Sequence, residues 1–174
     1  MDGDANGNRM HEIYHTGLRD MHALEMMAVE MTERQVERLE NYPAMKAKLS
    51  QHHAESQEQA RRLQEILDRH GSSTSSVKNT VTSVMGNVAA ALHAPASDEI
   101  LKNTFANFAF EHQEIAGYTS LIAMAEMIGD TPSVTSLRQS LSEEQAMADW
   151  IGSQIVPTTR RFMELTQAGQ KAGV

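Results

Sequence analysis

Cysteine is absent from this 174-residue chain, which excludes disulfides, thiolate metal sites and iron–sulfur clusters. Long apolar runs are missing too. No stretch approaches the roughly 18 residues needed to cross a bilayer, and the first eight residues show neither the basic segment nor the apolar run of a secretory signal. The expectation is a cytoplasmic protein with no membrane partner. Aromatics make up only 5% of residues, and Val and Ile never gather into alternating runs, so strands have little to be built from. Clustered positive charge is also lacking. With 15 basic against 23 acidic residues and a net charge of −8, nucleic acid is an unsuitable partner, because phosphate binding needs a basic face. Arg61, Arg62 and Arg69 alternate with Glu and Gln in the manner of a solvated helix face.

What is present favours helix: Ala, Leu, Glu, Gln and Arg in quantity, and twelve Met. The length suits one substantial core. Residues 1–10 read as a flexible N-terminal tail, 11–166 as a helical bundle and 167–174 as a loose C-terminal tail. A first helix is expected from His11 to Glu40, ended by Asn41-Tyr42-Pro43, and a second from Pro43 to His70, stopped by Gly71. Residues 71–76 have linker composition, and a short third helix is expected over Val77 to Leu92. A fourth runs from Ser97 to Ile128, stopped by Gly129, and a fifth runs on to about Val156, where Pro157 breaks or kinks it.

Apolar stripes on these helices are interrupted by polar residues near mid-length. In the fourth helix the line Leu101, Phe105, Phe108, Glu111, Ile115, Tyr118, Ile122, Ala125 places Glu111 on a core-facing stripe, with Glu114 one turn along its edge. In the second helix, His52, Glu55, Ser56 and Gln59 fill the gap between Leu49 and Leu63. In the fifth, Glu144 interrupts Val134, Leu137, Leu141, Ala148, Ile151 and Ile155. A buried, unpaired carboxylate costs several kcal/mol, so each must be protonated, paired or bound to a cation. His22, His52 and His112 are the nearby imidazoles, read first as core or surface histidines; Tyr118 is expected to be a core residue with its hydroxyl hydrogen-bonded.

An internal repeat relates the two halves. A shift of 89 takes Pro43 to Pro132, Glu25 to Glu114 and Glu55 to Glu144, so each half has two carboxylates 30 residues apart on the arms of a hairpin. Glu25 lies ~27 Å before the Pro43 break and Glu55 ~18 Å after it, at 1.5 Å per helical residue, so the two can approach one level with help from loop, tilt and side-chain length.

Four long helices in two hairpins, joined by a crossover and each carrying an inward Glu, are the ferritin-like di-metal arrangement. Four segments resemble the YciE/YciF family of ferritin-like stress proteins: Leu18-Arg-Asp-Met-His22-Ala-Leu-Glu25, His52-His-Ala-Glu55-Ser-Gln-Glu-Gln59-Ala-Arg-Arg-Leu63, Glu111-His112-Gln-Glu114-Ile-Ala-Gly-Tyr118-Thr-Ser-Leu121 and Leu141-Ser-Glu143-Glu144-Gln-Ala. The resemblance spans about residues 16 to 156. It implies an all-α, ferritin-like four-helix bundle with a short extra helix in the crossover. It further implies Glu55 and Glu144 as bridging ligands and Glu25 and Glu114 as terminal ligands of an Fe or Mn di-metal centre. The Glu-x-x-His pairs of the general pattern are not kept, since Glu58 follows Glu55 by three and Met147 follows Glu144 by three. Glu58 could donate oxygen, His52 could supply a nitrogen, and Glu111 is an additional carboxylate.

Two readings of function stay open. The chain binds a di-metal carboxylate centre, for iron oxidation or peroxide handling under stress, or it is a non-enzymatic, homodimeric stress or interaction protein with a degenerate site. Met26 and Met27, outside the Met21–Leu24–Ala28 line of the first helix, suggest a second buried face for the homodimer.

Overall fold

The computed structural model describes residues 2–72 and 96–174, which form four long helices. They are α1 (Asp2–Arg38), α2 (Pro43–Arg69), α3 (Glu99–Ile128) and α4 (Thr131–Gln167). The expected short helix over Val77 to Leu92 lies outside the described residues.

Each boundary has a local cause. Pro43 opens α2 from the cap residue Tyr42, at a position where its missing N–H costs nothing. Gly129, at φ 79°, closes α3 in the left-handed conformation that a side chain would strain, and Asp130 precedes the first turn of α4. Helix α1 starts at Asp2, so most of the segment expected to be a flexible tail forms its first turns. Pro157 does not end α4. Thr158 and Leu165 are buried beyond it, and this packing carries the helix ten residues past the proline. Residues 168–174 are not a loose tail either. Tyr42 Oη donates to the Ala172 carbonyl at 2.5 Å, Asn41 N donates to the Val174 carbonyl and Ile100 N to the Gly173 carbonyl, while Ala172 and Val174 are buried.

Helices α1 and α2 pack as one hairpin and α3 and α4 as the other. Helix α1 lies beside α3, and α2 beside α4. Tyr14 meets Asp130 at one end and Gln35 meets Asn107 towards the other, so α1 and α3 are antiparallel. Arg19 reaches Ser72 near that first end, whereas Arg38 reaches Glu99 at the opposite end. The described ends of α2 and α3 therefore stand at opposite ends of the bundle, as a ferritin-type crossover requires.

The apolar core comes in two parts. One, around Tyr14, Leu18, Met21, Leu63, Ile66, Leu67, Tyr118, Leu121 and Leu137, occupies the end where α1 begins. The other, around Leu39, Tyr42, Leu49, Ile100, Met147, Ile151 and Leu165, occupies the opposite end. Full burial of each large apolar side chain stabilises by about 1.5–3 kcal/mol. A layer of buried polar residues separates the two parts, and it includes Glu25, His52, Ser56, Gln59, Glu111, Glu114 and Glu144.

Two stripes differ from the sequence expectation. In the first half of α3 the buried residues are Ile100, Asn103, Thr104, Asn107 and Phe110, while Phe105 is 52% exposed. The inward Asn107 exchanges two hydrogen bonds with Gln35, at 3.0 and 2.8 Å, so burying it leaves no amide unpaired. In α2 the buried line is Met45, Leu49, His52, Ser56, Gln59, Ala60, Leu63. A shift of 88, not 89, takes this line onto the buried line of α4, Ser133, Leu137, Ser140, Glu144, Met147, Ala148, Ile151. The shift of 89 still holds for the first arms, taking Tyr14, Leu18, Met21 and Glu25 onto Asn103, Asn107, Phe110 and Glu114, all buried. The interior counterpart of Glu144 is thus Ser56, one residue beyond Glu55.

Candidate metal centre

The polar layer gathers one residue from α2, two from α3 and one from α4. His52, Glu111, Glu114 and Glu144 are all buried, and each offers a ligand atom within 4.8 Å of those of the other three. Glu111 and Glu114 share a face of α3 because they are three residues apart. His52 Nε2 is 3.3 Å from Glu111 Oε2 and 3.8 Å from Glu144 Oε2. The first contact is not aligned as a hydrogen bond and the second is too long for one, so these atoms are buried and unpartnered, together with Glu25 Oε2 and both carboxylate oxygens of Glu114 and of Glu144.

Glu25 joins the layer from α1. Its Oε1 accepts a hydrogen bond from Tyr118 Oη at 2.5 Å. Burial drives its pKa up to about 8 against the lowering effect of the Tyr118 hydroxyl. Burial also pushes Glu144 up to about 10 and raises Glu114 well above the carboxylate range, with neighbouring carboxylates adding to both. For His52, burial pulls the pKa down, but the adjacent carboxylates of Glu111 and Glu55, with Glu144 further off, outweigh it and raise the pKa to about 10. Without a cation the layer therefore holds protons at neutral pH. A positive ion placed among these oxygens would displace them.

The remaining site residues expected from the sequence stand further out. Glu55 is not among the four converging side chains. It is 27% exposed, its Oε2 lies 3.4 Å from His52 Nδ1, and that partner holds its pKa below the usual value. A carboxylate behind an imidazole fixes the ring and directs its other nitrogen inward. Glu58 is on the outer face, 39% exposed and paired with Arg61 at 2.6 Å. The same one-residue phase that buries Ser56 turns Glu55 and Glu58 outward. His22 is half-buried and His112 exposed, the latter edge-on to Phe108. Met147, three after Glu144, is fully buried in the apolar core.

Several contributors lie outside the expected set. Tyr118 holds Glu25. Gln59 is buried and donates to Glu143 Oε2 at 3.0 Å, and Arg62 clasps both oxygens of Glu143 at 2.6 and 3.1 Å, joining α2 to α4 beside the layer. The helical spacing Leu49, His52, Ser56, Gln59, Leu63 was the available signal for Gln59 and Ser56.

The donor chemistry fits a hard cation. Three carboxylates and one imidazole are a set used by Fe(II) and Mn(II), and the partnerless buried oxygens are otherwise costly. This buried group could hold a metal ion. Among the described residues, no helix is long and apolar enough to cross a membrane.

Comparison with known proteins agrees with this architecture. The chain is similar to a crystallised Xanthomonas campestris pv. campestris protein (XCC3681), at 26% identity and a TM-score of 0.77, covering 91% of this chain and 99% of that one. It also shares its fold with YcfI of Rhodopseudomonas palustris, at 24% identity and a TM-score of 0.65, covering 82% of this chain and 92% of that one. Residues 9–164 match the family described as "Domain of unknown function (DUF892)". With its hairpin pair, its antiparallel first arms and its carboxylate layer, the chain belongs to the DUF892 family, the YciE/YciF-like family of ferritin-like proteins.

Proposed function

We propose that this protein binds a pair of hard divalent ions, Fe(II) or Mn(II), in its buried carboxylate layer and uses them in iron oxidation or peroxide handling under stress. The observation that carries the reading is the convergence of His52, Glu111, Glu114 and Glu144, with carboxylate oxygens that have no hydrogen-bond partner. These four would hold one ion. Glu25, with Tyr118 on one oxygen and the other free, would hold the second together with the remaining oxygens of Glu114 and Glu144. Two divalent ions against four carboxylates and a neutral imidazole leave no net charge in the low-dielectric interior.

A bound iron pair would supply the electrons for reducing oxygen or peroxide. The chain's own part is positional. Glu55 holds His52 through Nδ1, Tyr118 holds Glu25, and the two apolar clusters keep bulk water from the layer.

A specific observation favours a second reading. Ser56, Gln59 and Met147 occupy interior positions where a symmetric two-ion centre has Glu and His ligands. On this reading the protein is non-enzymatic and homodimeric, with Met26 among the exposed apolar residues available to the dimer face, and its degenerate site holds a single ion. Anaerobic loading with Fe(II), followed by desalting and elemental analysis, separates the two. Two equivalents, with oxygen consumed on exposure to air, support the di-metal reading; one equivalent without oxygen consumption supports the second. Less than one equivalent after this loading, and after a parallel loading with Mn(II), sinks the metal-centre proposal. A monomeric mass by light scattering at micromolar concentration counts against the homodimer.

A further inference from the structure

A second, chemically different group of ligands lies at the end of the bundle where α1 begins and α2 ends. His11 and His15 are four residues apart and therefore share one face of α1, and His70 caps α2. One ring nitrogen from each of the three lies within 4.8 Å of the other two. The His15 and His70 rings are 4.9 Å apart between centroids, and those of His11 and His15 are 6.2 Å apart.

Two features mark this as more than a chance gathering of surface histidines. His15 Nε2 is buried and has no hydrogen-bond partner. His70 is held from behind, since its Nε2–H donates to Asp130 Oδ2 at 2.9 Å, and the same oxygen accepts the Tyr14 hydroxyl at 3.0 Å. A carboxylate on one imidazole nitrogen fixes the ring and leaves the other nitrogen, here Nδ1, with the lone pair that a cation needs.

We propose that His11, His15 and His70 form a binding site for a late first-row divalent cation such as Zn(II), Cu(II) or Ni(II), with Asp130 as the residue that positions His70. Three nitrogens around an ion at about 2.1 Å stand roughly 3.4 Å apart, so modest side-chain rotation closes the present separation. An all-imidazole set suits these ions, whereas the carboxylate layer suits harder ones. Ten residues of α1 separate His15 from Glu25, about 15 Å along the helix, so the two sites bind independently. The bound cation ties the start of α1 to the end of α2 and, through Asp130, to the turn between α3 and α4.

The test is Zn(II) titration of untagged, metal-free protein by calorimetry. It uses the Glu144→Gln background, which disables the carboxylate layer, alone and combined with His11→Ala or His70→Ala. A zinc site that survives Glu144→Gln and weakens at least tenfold in both double variants is the expected result. His11 is exposed, so its replacement keeps the fold even if that of His70 does not. Cu(II) bound to the same protein should show imidazole nitrogen couplings in its electron paramagnetic resonance spectrum, diminished by His11→Ala. Zinc affinity unchanged by His11→Ala, or a copper spectrum without imidazole nitrogens, overturns the proposal.

Discussion

Tyr118 and Glu25, on neighbouring antiparallel helices and both fully buried, share a hydrogen bond of 2.5 Å in which the phenol donates to Oε1 of the carboxyl group. The pair sets the protonation of both partners. Burial, with the Glu25 charge beside it, raises the Tyr118 pKa well above the usual phenol, so the proton stays on the tyrosine. Tyr118→Phe leaves Glu25 Oε1 without its donor in a dry site. The expected cost is about 1–3 kcal/mol in urea unfolding of the metal-free protein, with a weaker hold on the second ion. Unchanged unfolding midpoints would show that the bond contributes nothing.

The metal-free bundle should lose stability as pH rises. Burial holds Glu25 and Glu144 near 8 and 10 when folded, against an ordinary 4.5 when unfolded, and the surrounding carboxylates hold His52 near 10 rather than 6.5. The folded state therefore holds more protons across this window, and each extra proton costs about 1.4 kcal/mol of stability per pH unit. The contribution is complete below pH 4.5 for the carboxyls and below 6.5 for the imidazole, and fades towards pH 8–10. Melting temperatures of metal-free protein should fall between pH 5 and 9. A flat or rising profile would mean that the layer does not hold protons.

Metal loading should release those protons, so affinity for Mn(II) should rise with pH across the same interval. Calorimetry in buffers of different ionisation enthalpy counts the protons released. No release at pH 7 would contradict a site made of protonated carboxyls.

Glu144→Gln should abolish binding in the layer and yet raise metal-free stability at pH 8 and above, because it replaces a buried acid with a neutral isostere. Glu58→Ala, on the arginine-paired outer face, should leave metal content unchanged. Equal effects from the two substitutions would place the ligands on the wrong side of their helices.

Deleting residues 168–174 removes the carbonyl partners of Tyr42 Oη, Asn41 N and Ile100 N and uncovers part of the apolar cluster around Leu39 and Tyr42. The expected loss is roughly 2–4 kcal/mol in denaturant unfolding, with metal stoichiometry unchanged.

Most of the bundle is legible in the sequence because stripes and breakers agree. Pro43 and Gly129 end their segments, and the Glu25–Glu114 repeat holds in the first arms. Tertiary packing decides the rest. Pro157 has a strong local signal for a break, yet Leu165 and Thr158 find buried positions beyond it. Phe105 has the chemistry of a core residue, but Asn107 takes the inward position because Gln35 satisfies its amide. Among the site residues, Glu25, Glu111, Glu114, Glu144 and His52 come to one layer, whereas Glu55 loses the interior to its neighbour Ser56. A carboxylate draws attention in a sequence that a serine does not. His11, His15 and His70 carry no such signal as a set, because His70 becomes a neighbour of the other two only once the hairpin is closed.

The register of the second arms has a consequence of its own. Moving one residue along a helix turns the interior line by about 100° and displaces it by about 1.5 Å. The first arms keep the pseudo-twofold relation between the halves, as Glu25 and Glu114 attest, and the second arms do not. Ions bound between them would face a wall of carboxylates on the α3–α4 side and, on the α2 side, the single imidazole of His52 beside the hydroxyl and amide groups of Ser56 and Gln59. The two halves of a duplicated scaffold have become inequivalent, so any pair of ions held there should exchange with solvent at different rates, the one without the His52 imidazole leaving first.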